Sequence, residues 1–452
     1  MKFFLLSFLV AGMAFARSND LAHRPKSFST ANGKAVFADF TAATYHITYD
    51  AIKKSASVKA QIDLNMVESG RLVFDSVADP TSVTIDGEAT TAVETKTPGN
   101  ETTVRVLGTS ISTGAHKLEV EVPLTQLVEF TGAGVKSAFW TSDLSERQFL
   151  ERYLPANFEF DQVKMTFVVK YIGAKTTQLI YTNGTTSKID SSTYKISYPA
   201  YYTSSSIFFH TVPQGSTDEL RFSIKSIDGR DLPAVVYYSR GIGSSLKNLN
   251  TLKAKTIEYI NELESDYGPF LHPHVIVYQA GAGGMEYCGA TMTEMRALGH
   301  ELFHSYFARG VMPANGNSGW LDEALASWRD EGYRSEPSML GTSKMSNHPY
   351  YTRTTDRAAY SFGERFMRFL DHKLSSKGGL KPFMRHMVER RAKSPLFVEE
   401  FIKEMSAFYG VSLEADFRKF TYGTSNSFHK SMDHGHNPVH GKMTLEELKK
   451  HL

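Results

Sequence analysis

Apolar and polar residues alternate in short runs over the first half of the chain. Residues 43–49, 82–85 and 117–122 show this period of two, and turn-forming pairs such as Asp86-Gly87 separate the runs. Alternation of this kind is typical of strands in an antiparallel sheet that has one solvated face. The pattern therefore predicts an N-terminal antiparallel β domain, which we assign to residues 17–240.

The spacing of the apolar residues changes after residue 240. Apolar residues recur three and four positions apart over residues 246–267, and helical patterns follow at 294–308, 320–333, 357–373, 381–391 and 398–409. A short apolar strand is predicted at residues 275–278. We therefore expect a multi-domain protein whose second domain, residues 241–424, is α+β and mostly helical.

The two ends of the chain differ from these domains. Lys2, the apolar stretch 3–15 and the small-x-small sequence at 14–16 predict a signal peptide over residues 1–16. The apolar stretch is shorter than the roughly 20 residues that span a bilayer, so no membrane anchor is expected. Residues 425–452 form a His-containing C-terminal tail, for which a solvated tail and a metal-gathering tract are both open interpretations.

Composition limits the compartment and the partners. Of 452 residues, 50 are Lys or Arg and 48 are Asp or Glu, which gives a formal net charge of +2 and no electrostatic reason to expect a nucleic-acid partner. A single cysteine excludes a disulfide within the chain. Export without disulfides fits a bacterial protein that is periplasmic or extracellular. The oligomeric state is not indicated by the sequence.

The segment 300–304 reads H-E-x-x-H. On a helix, positions i and i+4 lie on one face, so the imidazoles of His300 and His304 can bind one Zn²⁺. Glu301 can then take a proton from the catalytic water and act as a general base. Gly310 and Pro313 mark the end of the helix.

A catalytic zinc site needs a third protein ligand and leaves one position open. Glu323 is the candidate, because it follows His304 with eighteen residues between them and lies in the next predicted helix. The segment 310–319 contains Gly and Pro, so the second helix can fold back on the first. We therefore predict one Zn²⁺ per chain, held by His300, His304 and Glu323.

These motifs resemble those of the gluzincin zinc aminopeptidases, the family of aminopeptidase N and leukotriene hydrolase. That family has H-E-x-x-H, eighteen residues and then a Glu within W-L-x-E-x-x-A, which residues 320–326 match. Its G-x-M-E-N motif has a counterpart at residues 283–287. The resemblance implies a thermolysin-like catalytic domain in which Glu286 grips the free α-amine of a peptide substrate, with Gly284 and Met285 beside it at the substrate.

A weaker part of the resemblance lies downstream. Residues 359–363 correspond to the family's Y-x-K-G, which implies that Tyr360 donates a hydrogen bond to the tetrahedral oxyanion. Tyr287 stands where the family has Asn, and Phe362 where it has Lys. The resemblance covers about residues 30–424 and implies a short member without the family's large C-terminal helical domain.

The residues and the resemblance together predict an exported zinc aminopeptidase whose partners are peptides with a free N-terminus, with Glu301 and Tyr360 as catalytic residues. Two alternatives remain open. One is a zinc endopeptidase with an open cleft, in which Glu286 is only structural. The other is a non-catalytic binding module that keeps the zinc as a structural ion.

Two further residues near these motifs have competing interpretations. Asp330 follows Glu323 by seven positions and is either a hydrogen-bond acceptor for a ligand imidazole or an exposed helix carboxylate. Cys288 is adjacent to the predicted substrate-binding motif, and we expect a small buried side chain there rather than a nucleophile.

Overall fold

The computed structural model describes residues 23–423 except 145, 147, 244–246 and 315. The predicted signal peptide and the predicted His-containing tail therefore lie outside the described residues, and both remain predictions. In the described part, the model contains no helix that is both long and apolar enough to cross a membrane.

Strands make up nearly all the regular structure of the first half of the chain. The first twelve strands are β1 (Phe28–Thr30), β2 (Gly33–Phe37), β3 (Asp39–Asp50), β4 (Ser55–Met66), β5 (Arg71–Phe74), β6 (Ser82–Ile85), β7 (Glu88–Ala89), β8 (Ala92–Lys96), β9 (Thr103–Leu107), β10 (Gly114–Pro123), β11 (Val128–Phe130) and β12 (Val135–Ala138). The next seven are β13 (Lys164–Ile172), β14 (Gln178–Thr182), β15 (Thr185–Lys188), β16 (Thr193–Ser197), β17 (Phe209–Pro213), β18 (Thr217–Lys225) and β19 (Asp231–Ser239).

The largest sheet has eight strands in the order β15-β16-β13-β3-β4-β10-β6-β7. On β4 every second side chain from Val58 to Met66 is buried, while most of those between them are exposed or half-buried. This alternation agrees with the predicted sheet that has one solvated face. The pairing is not wholly antiparallel, because β3 and β13 run parallel. These two strands are far apart in sequence, so a long crossover joins them rather than a hairpin.

Two smaller sheets complete the N-terminal part. One has five strands in the order β1-β2-β5-β9-β8, and the other has four in the order β11-β12-β17-β14. The large N-terminal β-rich region predicted from the alternating pattern is therefore present.

The second half of the chain adds five strands and seven α-helices to the described structure. The strands are β20 (Val275–Gln279), β21 (Gly284–Tyr287), β22 (Ala290–Thr293), β23 (Val311–Pro313) and β24 (Ser394–Leu396). The helices are α1 (Leu249–Tyr267), α2 (Leu298–Phe303), α3 (Leu321–Asp330), α4 (Glu364–Lys373), α5 (Lys381–Arg391), α6 (Val398–Tyr409) and α7 (Glu414–Phe420).

A five-stranded mixed sheet in the order β18-β19-β20-β22-β21 separates the β-rich half from the helices. Successive residues of β20 belong to different cores: Ile276 joins the core of the β-rich half, and Val277 joins the helical core. Both faces of this sheet are therefore covered, which explains the unbroken apolar run at 275–278. The edge strand β21 runs antiparallel to β22 and carries the segment 284–287.

The predicted boundary at residue 240 falls inside this five-stranded sheet. β18 and β19 precede it, yet β19 pairs in parallel with β20, which follows it. The hydrogen bonding therefore continues across residue 240, and the domain limits remain a proposal. Helices account for 23% of the structure, so the expectation of a mostly helical second domain is not confirmed. Strands β18 to β22 form much of the frame on which the helices pack.

Candidate metal site and catalytic cleft

Helix α2 carries the H-E-x-x-H motif except for its last residue, His304. It spans only Leu298–Phe303 and not the predicted 294–308, because the chain turns soon after it, with Ala308 at a positive φ of 136°. Leu298 and Leu302 lie in the helical core and fix the rotation of the helix. His304, at the C-terminal cap, still bonds through its N–H to the carbonyl of His300, so the two imidazoles stay one turn apart.

The two imidazoles are oriented by bonds from their Nδ1 atoms. His300 Nδ1 lies 2.7 Å from Asp330 Oδ2, and His304 Nδ1 lies 3.0 Å from the carbonyl oxygen of Phe307. Both oxygens are acceptors, so each Nδ1 carries the proton and each Nε2 is left for another partner. Of the two interpretations of Asp330, the structure therefore favours the acceptor for the His300 imidazole over the exposed helix carboxylate.

Glu323 is the partner on which both Nε2 atoms converge. Its Oε2 lies 3.0 Å from His300 Nε2 and 3.6 Å from His304 Nε2, and its side chain is fully buried. Helix α3 places it there, because Trp320, Leu325 and Trp328 anchor that helix in the core. One ligand atom from each of His300, His304 and Glu323 lies within 4.8 Å of the others.

This donor set fits a divalent cation. With both Nδ1 atoms acting as donors, neutral rings direct Nε2 lone pairs at a carboxylate, which is repulsive unless a proton or a metal ion lies between. Burial disfavours imidazolium, yet Asp330 and Glu323 raise the pKa of His300 well above its ordinary value. Burial likewise opposes the charge on His304, but Glu323 and Glu286 raise its pKa to about 9. The same anionic surroundings favour a bound cation, and two imidazoles with one carboxylate are a zinc ligand set.

The carboxylate of Glu301 lies beside this triad. Its residue is 1% exposed, and within the described residues neither carboxylate oxygen has a hydrogen-bond partner. Burial raises the pKa of Glu301 to about 8; the charge of His300 opposes this shift, and that of Glu286 adds to it. Glu286, Glu301 and His304 form a second group whose ligand atoms lie within 4.8 Å of one another.

The edge strand β21 brings Gly284 and Glu286 to the site but directs Met285 away from it. A Cβ built on Gly284 would overlap the carboxylate of Glu301, so the absence of a side chain there makes room for that carboxylate. Glu286, two residues on, shares this face. Met285 lies on the opposite face, in the core of the β-rich half, so its side chain is not brought to the cluster.

Arg309 is a residue of the site that the sequence analysis missed. Its Nη2 donates to Glu286 Oε1 at 2.9 Å, and its Nη1 donates to Ser205 Oγ at 2.6 Å. The side chains of Arg309 and Glu286 are 6% and 0% exposed. A basic residue five positions after His304 was the only available signal in the sequence.

Tyr360 lies on a single π-helical turn, Ala359–Gly363, that leads into α4. A Cβ on Gly363 would stand 2.8 Å from the Cβ of Ala324, so this turn packs closely on α3 next to Glu323. Such turns recur at functional sites. Cys288 is fully buried, and burial raises the pKa of its thiol to about 12, as expected for a small core side chain.

A small pocket on the side of the β-rich half reaches Arg309, the partner of Glu286. Its lining also includes Asp322, Glu159 and Arg353. Asp322 immediately precedes Glu323, and Arg309 follows the turn after His304. The walls therefore combine carboxylates with guanidinium groups.

Comparison with known proteins identifies the fold. No protein-family model and no curated protein sequence matches the chain. Among solved structures, an M1 zinc metallopeptidase mutant from Deinococcus radiodurans bound to a Tyr-Ser-Ala substrate matches 87% of this chain and 96% of its own, with 15% identity and a TM-score of 0.63.

Two further structures give the same result. Yeast LTA4 hydrolase matches 91% of this chain and 73% of its own length at 16% identity and a TM-score of 0.62. Legionella pneumophila aminopeptidase A in complex with aspartic acid matches 88% of this chain and 51% of its own at 13% identity and a TM-score of 0.62. The protein therefore has the fold of the M1 zinc metallopeptidases, and the resemblance drawn from the sequence motifs is confirmed at the level of the fold.

Proposed function

We propose that this protein is a zinc aminopeptidase that hydrolyses the N-terminal peptide bond of peptides. The observation that carries the proposal is the convergence of His300 Nε2, His304 Nε2 and Glu323 Oε2 beside the buried carboxylate of Glu301. A purely structural zinc site fills its four positions with protein ligands and needs no base. Three ligands with an adjacent carboxylate are instead the arrangement of a hydrolytic site.

Each residue has a separate role in the proposed reaction. Zinc bound to the three ligands would polarise the scissile carbonyl and lower the pKa of the attacking water. Glu301 accepts the proton of that water and delivers it to the leaving nitrogen. Its raised pKa suits this exchange, because a group that titrates near neutral pH can both take and give a proton. Tyr360 donates a hydrogen bond to the oxyanion.

The proposed substrate is a peptide with a free N-terminus. Glu286 shares the face of β21 that borders Glu301, so an α-ammonium group held there would bring the first peptide bond to the metal ligands. The Deinococcus radiodurans metallopeptidase of the same fold was solved with the tripeptide Tyr-Ser-Ala, which supports peptides as the substrate class.

A second candidate, a zinc endopeptidase, is favoured by one observation. The carboxylate of Glu286 is already ion-paired with Arg309, as a structural residue would be. An endopeptidase uses the same metal ligands and the same base, and it differs only in the bond that it cuts. The two candidates therefore share every prediction about the metal site.

The test is the product ladder from one unblocked eight-residue peptide, followed by mass spectrometry before and after chelation and zinc restoration. The aminopeptidase proposal expects successive loss of single N-terminal residues that stops on chelation and returns with zinc. Internal cleavage from the start would establish the endopeptidase instead. A protein that holds one zinc and leaves a varied set of peptides intact would contradict both.

We also propose that the protein is exported after removal of residues 1–16, on the strength of Lys2, the apolar stretch and the Ala-x-Ala sequence. Expression in a bacterial host should give a mature chain that begins at Arg17 in the periplasm or the medium. N-terminal sequencing of that fraction checks this, and an intact Met1 in the cytoplasm would contradict it.

A further inference from the structure

The ion pair between Arg309 and Glu286 occupies the position where a substrate amine would bind. Its two side chains are 6% and 0% exposed, and Arg309 is also held by Ser205 at 2.6 Å. Burial disfavours the charged form of Arg309. The charges of Glu286 and Glu159 outweigh this effect of burial and raise the pKa of the guanidinium above its ordinary value. Arg309 is thus a permanent positive charge directly on the carboxylate that the amine needs.

The pair faces the reaction site rather than being remote from it. A carboxylate oxygen of Glu286 lies within 4.8 Å of ligand atoms of Glu301 and His304. Arg309 also lines the small pocket described above, so its side chain borders space that a ligand group could enter. Its Nε has no hydrogen-bond partner among the described residues, so this buried side chain has a donor that could serve a ligand.

We propose that Arg309 determines specificity: by neutralising Glu286, it makes the N-terminal subsite accept uncharged, acylated ends of peptides about as well as free amines. The inference rests on the proposed function, because it concerns the substrate of that same site.

The physical reason is competition for one carboxylate. A free ammonium group must share Glu286 with a guanidinium that is already bound and must approach that positive charge. An acylated nitrogen carries no charge, so it loses nothing from the presence of Arg309, and its carbonyl oxygen can accept a hydrogen bond. A carboxylate without Arg309 would favour the ammonium over the acylated nitrogen by the free energy of one charged hydrogen bond. This corresponds to about 10- to 100-fold in affinity.

Binding of two hydroxamates to the zinc-loaded full-length mature protein tests this without requiring turnover. L-phenylalanine hydroxamate carries a free amine, and its N-acetyl derivative does not; calorimetric titration gives a dissociation constant for each. In the unmodified protein we expect the two constants to agree within tenfold. In Arg309→Gln, which leaves Glu286 unneutralised, we expect the preference for the free amine to rise by about 10- to 100-fold.

Two further variants separate specificity from folding. Arg309→Lys keeps a positive charge and should retain the small preference of the unmodified protein. Arg353→Gln is the matched control, because Arg353 lines the same pocket with a side chain only 9% exposed, but it is paired with Asp75 and Glu151. That variant should leave the ratio of the two dissociation constants unchanged, even if its melting temperature changes.

The inference and the proposed function fail differently. A preference of more than tenfold for the free amine in the unmodified protein overturns the inference even if Arg309→Gln does not fold. An unchanged ratio in a folded Arg309→Gln also overturns it, as does failure of both hydroxamates to bind the zinc-loaded protein. The proposed function fails independently, through absence of zinc-dependent peptide hydrolysis.

Discussion

The hydrogen bond from His300 to Asp330 gives the sharpest quantitative prediction about the metal site. Asp330 Oδ2 accepts from His300 Nδ1 at 2.7 Å, and its Oδ1 is held by Arg329 Nη1 at 3.1 Å. The carboxylate thereby sets the tautomer of His300, with the proton on Nδ1 and Nε2 directed at Glu323. Asp330→Asn keeps an acceptor at the same place but removes its charge.

The expected loss of zinc affinity follows from the replacement of a charged hydrogen-bond acceptor by a neutral one. A hydrogen bond to an ionised acceptor contributes about 1.5–3 kcal/mol and a neutral one about 0.5–1.5 kcal/mol. The loss in Asp330→Asn is therefore about 1–1.5 kcal/mol, or a weakening of zinc binding by about 5- to 12-fold. Asp330→Ala removes the acceptor altogether, and we expect about 10- to 100-fold, the range for loss of such outer partners.

Competition with a chromogenic chelator measures these zinc dissociation constants directly. Glu331→Gln is the matched control: it changes the adjacent carboxylate, which pairs with Arg334 and Arg368 and is half exposed. We expect it to bind zinc like the unmodified protein. If Asp330→Ala bound zinc as tightly as Glu331→Gln, Asp330 would not be orienting a ligand, and the assignment of Nε2 as the ligating atom would lose its basis.

Three other predictions concern single residues around the site. Gly284→Ala should lower kcat at least about tenfold with zinc content unchanged, because the added Cβ displaces the Glu301 carboxylate; unchanged kcat would mean that this carboxylate is not at the reaction. Tyr360→Phe should lower kcat by about 10²- to 10³-fold, as for loss of an oxyanion donor, and should retain zinc affinity. Steady-state kinetics measures the first effect and a chelator titration the second. A change confined to KM would contradict the role of Tyr360 as an oxyanion donor. Cys288, whose thiol pKa burial raises to about 12, should resist iodoacetamide at pH 8 in the folded protein and react after denaturation; rapid alkylation of the native chain, followed by mass spectrometry, would contradict its burial.

Local signals in the sequence predicted the parts of the fold that depend on local spacing. The residue-by-residue limits of α5 and α6 agree with the helical patterns at 381–391 and 398–409, since both helices show three- and four-residue spacing from end to end. Asp330 was a candidate because seven residues along a helix return to the same face as Glu323. In the structure, helix α3 places Asp330 in contact with His300.

Contacts between distant segments were outside the reach of these signals. The parallel pairing of β3 with β13 joins strands more than 100 residues apart, and nothing in either strand's alternation specifies its neighbour. Arg309 reaches Glu286 from the turn after α2, where Ala308 has a positive φ, while Glu286 lies on β21 at the edge of its sheet. The predicted helix over 294–308 was too long for the same reason, since the apolar spacing continues through a segment whose backbone turns.

The most direct test of the central claim is a paired measurement of zinc content and of kcat for an unblocked tripeptide, in the unmodified protein and in Glu301→Gln. The account predicts one zinc per chain in both, because Glu301 is not a ligand, and a kcat lower by about 10²- to 10⁴-fold in the variant, the usual worth of a general base. A Glu301→Gln protein that keeps its zinc and still turns over within tenfold of the unmodified rate would contradict it.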